Sequence, residues 1–133
     1  DYRPVAVAPG KIKKTAERIT LELTRNPDIL ASVAALPNAP FTVGFAAETG
    51  NLEAAAREKL ATKHVDLICA NLVAGTEGGF GADENRLLLV DRDGVTELPL
   101  AAKPRLARDL IQHIATRFHA KNRSQNPRRA HRQ

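Results

Sequence analysis

Cysteine occurs once in the 133 residues, and methionine and tryptophan do not occur at all. One cysteine excludes an internal disulfide scaffold and a cysteine-cluster metal site. Tyrosine occurs once and phenylalanine four times, so any core must be assembled from Ala, Leu, Val and Ile. No apolar run approaches the 18 residues that a membrane-spanning helix requires. The start, Asp1-Tyr2-Arg3-Pro4, carries neither a signal-peptide pattern nor an initiator methionine, and suggests a processed or excised chain. What remains is ordinary globular composition, 43% hydrophobic and 26% charged, in an amount that suits one domain or part of one.

The net charge of +5 is unevenly placed. From His119 to Gln133 there are five basic residues (Lys121, Arg123, Arg128, Arg129 and Arg132) and no acidic one, which leaves fifteen basic against fifteen acidic residues before it. The body is therefore neutral. The stretch 119–133 is expected to be a basic, disordered tail, too polar to order itself. Nucleic-acid binding is disfavoured, because the body lacks the alternating aromatic and basic residues of a stacking platform.

Apolar periodicity and turn residues predict alternating strands and helices. Ile19–Leu23 alternates and suggests a strand. Asn26-Pro27-Asp28 suggests a capped helix start, followed by a helix through Ile29, Leu30, Val33 and Leu36. Phe41–Phe45 is a short strand. Asn51 or Thr49 caps an Ala-rich helix over about 52–63. Val65–Ala70 is an apolar strand, and 75–84 is a Gly-rich loop. Arg86–Val90 and Val95–Leu98 flank Asp91-Arg92-Asp93-Gly94, a hairpin signal. Leu106, Leu110, Ile114 and Phe118 form one stripe on a closing helix over about 103–118. The expected class is α/β: a Rossmann-like, mostly parallel sheet with flanking helices. Ligands would then gather at the C-terminal ends of strands, near Arg25-Asn26, Phe45–Thr49 and Asn71-Leu72.

Candidate chemistry is carried by basic residues. His64, His113, His119 and His131 are too dispersed for a metal site, and Cys69 suits a buried strand position. The glycines around Phe80 match neither a dinucleotide fingerprint nor a P-loop. Lys11, Lys13 and Lys14 follow Pro9-Gly10 in a loop, while Lys59 and Lys63 share a helix face at i, i+4. With a helix start at Asn26-Pro27, these features suggest a nucleoside triphosphate site. Solvated lysines remain the plain alternative.

Several linked motifs resemble one family. Asp1-Tyr2-Arg3 with Lys11-Ile12-Lys13-Lys14, Asn26-Pro27-Asp28-Ile29, Val43–Thr49, Asp66–Asn71 and Gly79–Asn85 occur in its order. The likeness is to bacterial phosphopantothenate–cysteine ligase, the C-terminal domain of the bifunctional coenzyme A biosynthesis protein. It covers residues 1–118, with 119–133 as the tail. The resemblance implies a cytoplasmic, dimeric enzyme; unpaired strand edges and the apolar run Leu87–Val90 make the Arg86–Leu98 hairpin and the Gly75–Asn85 loop the expected contact region. It would use CTP and Mg²⁺ to join 4'-phosphopantothenate and cysteine through an acyl-cytidylate.

By that resemblance Lys11 is the catalytic loop lysine. Asp1, Lys11, Pro27, Asp28, Ile29, Leu30, Phe45, Lys59 and Lys63 contact the nucleotide, and no metal ligand is assigned. FMN would belong only to an absent decarboxylase domain. Leu72 departs from the family's usual aspartate, and the first part of the ligase domain is missing. The chain is thus expected to be an inactive fragment by itself. The alternative is a non-catalytic nucleotide-binding or dimerisation module.

Overall fold

Asn51 ends its extended backbone with a side-chain Oδ1 that accepts from the N–H of Ala54 at 3.1 Å. That cap, Glu53 in the first turn and Lys63 in the last favour a helix by propensity and by the helix dipole. The computed structural model describes residues 1–14, 17–73 and 82–125. Among them the chain runs β1 (Tyr2–Pro4), β2 (Leu23–Arg25), α1 (Ile29–Ala34), β3 (Val43–Glu48), α2 (Leu52–Lys63), β4 (Leu67–Leu72), β5 (Glu84–Asp91), β6 (Val95–Ala102) and α3 (Lys103–Gln125).

Two sheets form. β1 and β2 make a small antiparallel ribbon, with Tyr2 opposite Arg25 and Pro4 opposite Leu23. The main sheet has the order β3-β4-β5-β6. β3 and β4 are parallel, with Val43 opposite Leu67 and Glu48 opposite Leu72, whereas β4–β5 and β5–β6 are antiparallel. The α/β class holds, but the expected mostly parallel sheet is corrected to a mostly antiparallel one. Among the described residues, the β3–α2–β4 segment has the helical crossover that a parallel pair needs. The Asp91–Gly94 turn then returns the chain directly beside β5, which forces an antiparallel partner. Asp91 Oδ1 accepts from the N–H groups of Asp93 (2.8 Å) and Gly94 (3.1 Å), and Gly94 has φ +156°.

The strand expected at 19–23 begins only at Leu23, because its pairing with β1 covers three residues. Asn26 does not cap α1. The cap is Asp28, whose Oδ1 accepts from Ala31 N–H at 3.0 Å. The Gly-rich 75–84 stretch falls mostly outside the described residues, as does His131.

Strand alternation builds a core on each face of the main sheet. Ile68, Ala70 and Val90 pack with Ala56 and Val65 on the side of α1 and α2, joined by Leu30, Ala34, Leu52 and Leu60. Leu67, Cys69, Leu87 and Leu89 pack with Leu110 and Ile114 of α3 on the other. The run Leu87–Val90 is therefore covered on both faces by the chain's own helices, as a fully buried strand requires. α3 continues through His119 to Gln125, so the first seven residues of the expected disordered tail are helical; residues 126–133 lie outside the described set.

Candidate functional site

The ribbon and the start of α1 enclose a polar cleft. Asn26 N–H donates to the Asp1 carbonyl at 3.0 Å, and Arg3 Nη1 donates to the Arg25 carbonyl (3.0 Å) and Asn26 Oδ1 (3.2 Å). These bonds fold the chain start against 25–26. A cavity of about 570 Å³ results, bordered by Asp1, Tyr2 and Arg25, by Asn26–Ile29, and by Lys63 of α2. Lys63 Nζ lies 2.5 Å from Asp28 Oδ2, tying α2 to the cap of α1. The Ala31 N–H bond, followed by the Lys63 bond, holds the Asp28 carboxyl below its ordinary value of 3.8.

A second pair lies one turn earlier on α2. Lys59 Nζ meets Glu48 Oε1 at 2.5 Å, at the C-terminal end of β3. Both amines of the i, i+4 pair therefore have carboxylate partners, and neither is simply solvated. The expected anion seat at the start of α1 is corrected. That helix has six residues, and Asp28 already occupies its N-terminus with negative charge.

The structure brings Asp1, Pro27, Asp28, Ile29 and Lys63 to one cavity. Leu30 instead packs in the core, where its Cδ2 would lie 3.0 Å from a Cβ at Gly44. Phe45 is 68% exposed on β3 and does not border the cavity. The Lys11 side chain is exposed and makes no hydrogen bond or ion pair with a described residue. Tyr2 was not singled out as a site residue, because cross-strand register places it at the cavity. Arg25 and Glu48 lie at strand ends where ligands were expected to gather, but the pairing of Glu48 with Lys59 was not foreseen, because a helix–strand contact makes it. Leu72 is exposed at the end of β4.

A second cavity of about 450 Å³ lies between α3 and the sheet, bordered by Phe41, Asp66, Asp91 and Arg117 among others. Its charges are mutually satisfied. Asp66 accepts from Thr42 N–H (2.8 Å) and from Lys121 Nζ (2.7 Å), and Arg117 bridges Asp91 (2.7 Å) and Asp93 (2.6 Å). His113 Nε2 is buried without a hydrogen bond, 3.7 Å from Asp91 Oδ2. Burial pushes the Cys69 thiol up to about 12, which removes it as a nucleophile. Among the described residues no group of His, Cys, Asp or Glu could hold a metal ion, and no helix is long and apolar enough to cross a membrane.

Fold and cleft together define an α/β domain with a polar cavity bordered by Lys63, Arg25, Asp1 and Asp28. The chain belongs to the family described as the DNA/pantothenate metabolism flavoprotein C-terminal domain, which matches residues 1–118. It is 49% identical over 127 residues to the coenzyme A biosynthesis bifunctional protein CoaBC of Escherichia coli K12, covering 92% of this chain and 31% of that protein. The chain thus spans less than a third of that relative. A crystal structure of the C-terminal domain of CoaBC superposes with a TM-score of 0.66 at 31% identity, over 92% of this chain and 50% of the other. A mutant of Cab2 in complex with phosphopantothenate-cysteine shares the fold alone, with a TM-score of 0.55 at 15% identity over 79% of this chain and 34% of that one.

These findings correct the functional expectation. The matched family is described as the C-terminal domain of a flavoprotein of DNA and pantothenate metabolism. The assignment as a CTP-dependent phosphopantothenate–cysteine ligase is overturned. With it go CTP and Mg²⁺ as cofactors, the substrate set of CTP, 4'-phosphopantothenate and cysteine, and the assignment of FMN to an absent domain alone. The likeness to the coenzyme A biosynthesis bifunctional protein CoaBC stands.

Neither of these two cavities fits a flavin. An isoalloxazine needs broad, flat apolar walls, whereas the first cavity offers Tyr2, Pro27 and Ile29 among the charged or amide side chains of Asp1, Arg25, Asn26, Asp28 and Lys63. The second offers Phe41, already stacked edge-on with Phe118 and beneath the Lys121 amine.

Proposed function

We propose that this chain supplies the phosphate-holding part of a coenzyme A biosynthesis enzyme, working on a phosphorylated pantothenate-class compound within a larger flavin-containing protein. The carrying observation is the placement of Lys59 and Lys63 on one face of α2, with Lys63 at the mouth of the Asp1–Ile29 cavity. Two ammonium groups one turn apart can bridge the oxygens of a phosphate or pyrophosphate, which then fixes the rest of the ligand for reaction. Asp1, Pro27, Asp28 and Ile29 border the remainder of that ligand. Lys11 covers it from the loop, whereas Phe45 and Leu30 lie outside the cavity and take no part in the seat. The family and the CoaBC relatives support the pathway.

The test is calorimetry on the full chain with phosphopantothenoyl-cysteine, inorganic pyrophosphate and FMN as separate arms. Binding of a phosphorylated compound that weakens about tenfold in the Lys59→Ala/Lys63→Ala variant is expected. Equal affinity in wild type and variant would overturn the site. Tight FMN binding that survives both substitutions would show a flavin seat in this chain instead.

A further inference from the structure

We propose that Glu48 and Asp28 act as resident counter-ions that set the charge a ligand must carry to enter: each holds one lysine of the pair until a multiply charged anion displaces it. The inference rests on the phosphate-site reading above and assigns a specificity role to two acidic groups. Its basis is the paired geometry. Lys59 Nζ is 2.5 Å from Glu48 Oε1, and Lys63 Nζ is 2.5 Å from Asp28 Oδ2. The two lysines sit four residues apart on α2, but their partners come from different elements, the end of β3 and the cap of α1. Arg57, on the same helix, draws its partner Glu53 from within that helix instead.

The pairs have opposite consequences for different ligands. A carboxylate already beside each amine neutralises it, so a neutral or singly charged group gains little by replacing that partner. A phosphate dianion or pyrophosphate offers more charge and more acceptor oxygens than the carboxylate it displaces. It also repels the released carboxylates, which lowers its affinity relative to a site without them. Both pairs are partly exposed, with Glu48 the more enclosed at 21% and Asp28 at 46%, so exchange needs only side-chain rotation. Asp28 also accepts from Ala31 N–H through Oδ1, the oxygen that does not meet Lys63. It can therefore keep capping α1 after Lys63 leaves.

The experiment measures inorganic pyrophosphate binding by calorimetry at several salt concentrations for the full chain. The variants are Glu48→Gln, Asp28→Asn, Glu48→Asp and Lys59→Ala/Lys63→Ala. Asparagine caps a helix as well as aspartate, and glutamine keeps the length of Glu48, so both variants should fold; thermal melts check this. The expected result is binding about fivefold tighter in Glu48→Gln and in Asp28→Asn, with a steeper salt dependence, while Glu48→Asp behaves as wild type. A purely structural role for the acids would give the opposite sign, since lysines left unpositioned would bind more weakly. Unchanged or weakened binding in both neutral variants, with wild-type binding still lost in the double-lysine variant, would overturn the counter-ion role and leave the phosphate site standing. No loss in the double-lysine variant would overturn both.

Discussion

Asp91 sits 7% exposed at the end of β5 and bonds in two directions. One oxygen accepts from two N–H groups of the turn and the other meets Arg117 at 2.7 Å. Replacing it with alanine strands the turn donors and leaves Arg117 with only the exposed Asp93. Asp91→Ala is expected to cost about 3 kcal/mol, read as a lowered urea midpoint at an unchanged slope. Asp28 is different in kind. Its folded value is depressed, so its contribution is present above the unfolded value of 3.8 and is lost as pH falls through the lower folded value. The acid limb of a stability–pH profile should therefore flatten in Asp28→Asn, whose amide does not titrate. An identical acid limb in wild type and variant would contradict that assignment. At this scale the sequence displayed the charges but not their pairing. Asp28 next to Pro27 suggested a helix start, while its contact with Lys63 spans 35 residues and depends on the packing of two helices.

Helix α2 ends on His64, whose φ of 54° is the left-handed conformation that suits glycine. His64 is exposed, so nothing compensates the conformational cost through packing. His64→Gly should stabilise the chain by roughly 0.5 kcal/mol, net of the extra freedom glycine brings to the unfolded state. A melting temperature that falls would show that the imidazole makes up for the strained backbone. Helix α3 presents the converse case. Its apolar stripe marked it to Phe118, but the helix continues because Lys121 reaches Asp66 and lies 5.7 Å from the Phe41 ring centre. Lys121→Ala should cost about 1 kcal/mol by leaving Asp66 to the Thr42 donors alone. A chain cut after Phe118 should lose at least as much, whereas one cut after Gln125 should keep wild-type stability. Composition made 119–133 look uniformly solvated, since a long-range ion pair leaves no mark in local hydropathy.

Across the whole molecule, most elements were legible because they follow from local periodicity, whereas β1 fell in a stretch expected to be loop-like. Alternation placed Leu67 and Cys69 on one face and Ile68 and Ala70 on the other, and the stripe on α3 named its buried side. Strand direction was not legible to the same degree. β5 and β6 carried a hairpin signal, but whether β4 met β5 parallel or antiparallel depended on the connection through 73–83, which periodicity does not describe. Close approach was likewise decided in three dimensions. Gly44 was legible only as part of a short strand, yet an added Cβ would lie 2.9 Å from Ile68 Cδ1 and 3.0 Å from Leu30 Cδ2. The sequence by itself determined an α/β domain with an Ala, Leu, Val and Ile core, capped helices and a lysine pair on one helix face. These are short-range properties, set by backbone sterics and burial. Only the tertiary structure decided the mostly antiparallel sheet, the removal of Leu30 and Phe45 from the cavity, and the pairing of Lys59 with Glu48 and Lys63 with Asp28. Each depends on groups distant in the chain being brought within the few ångströms over which close packing and charge-assisted hydrogen bonds act.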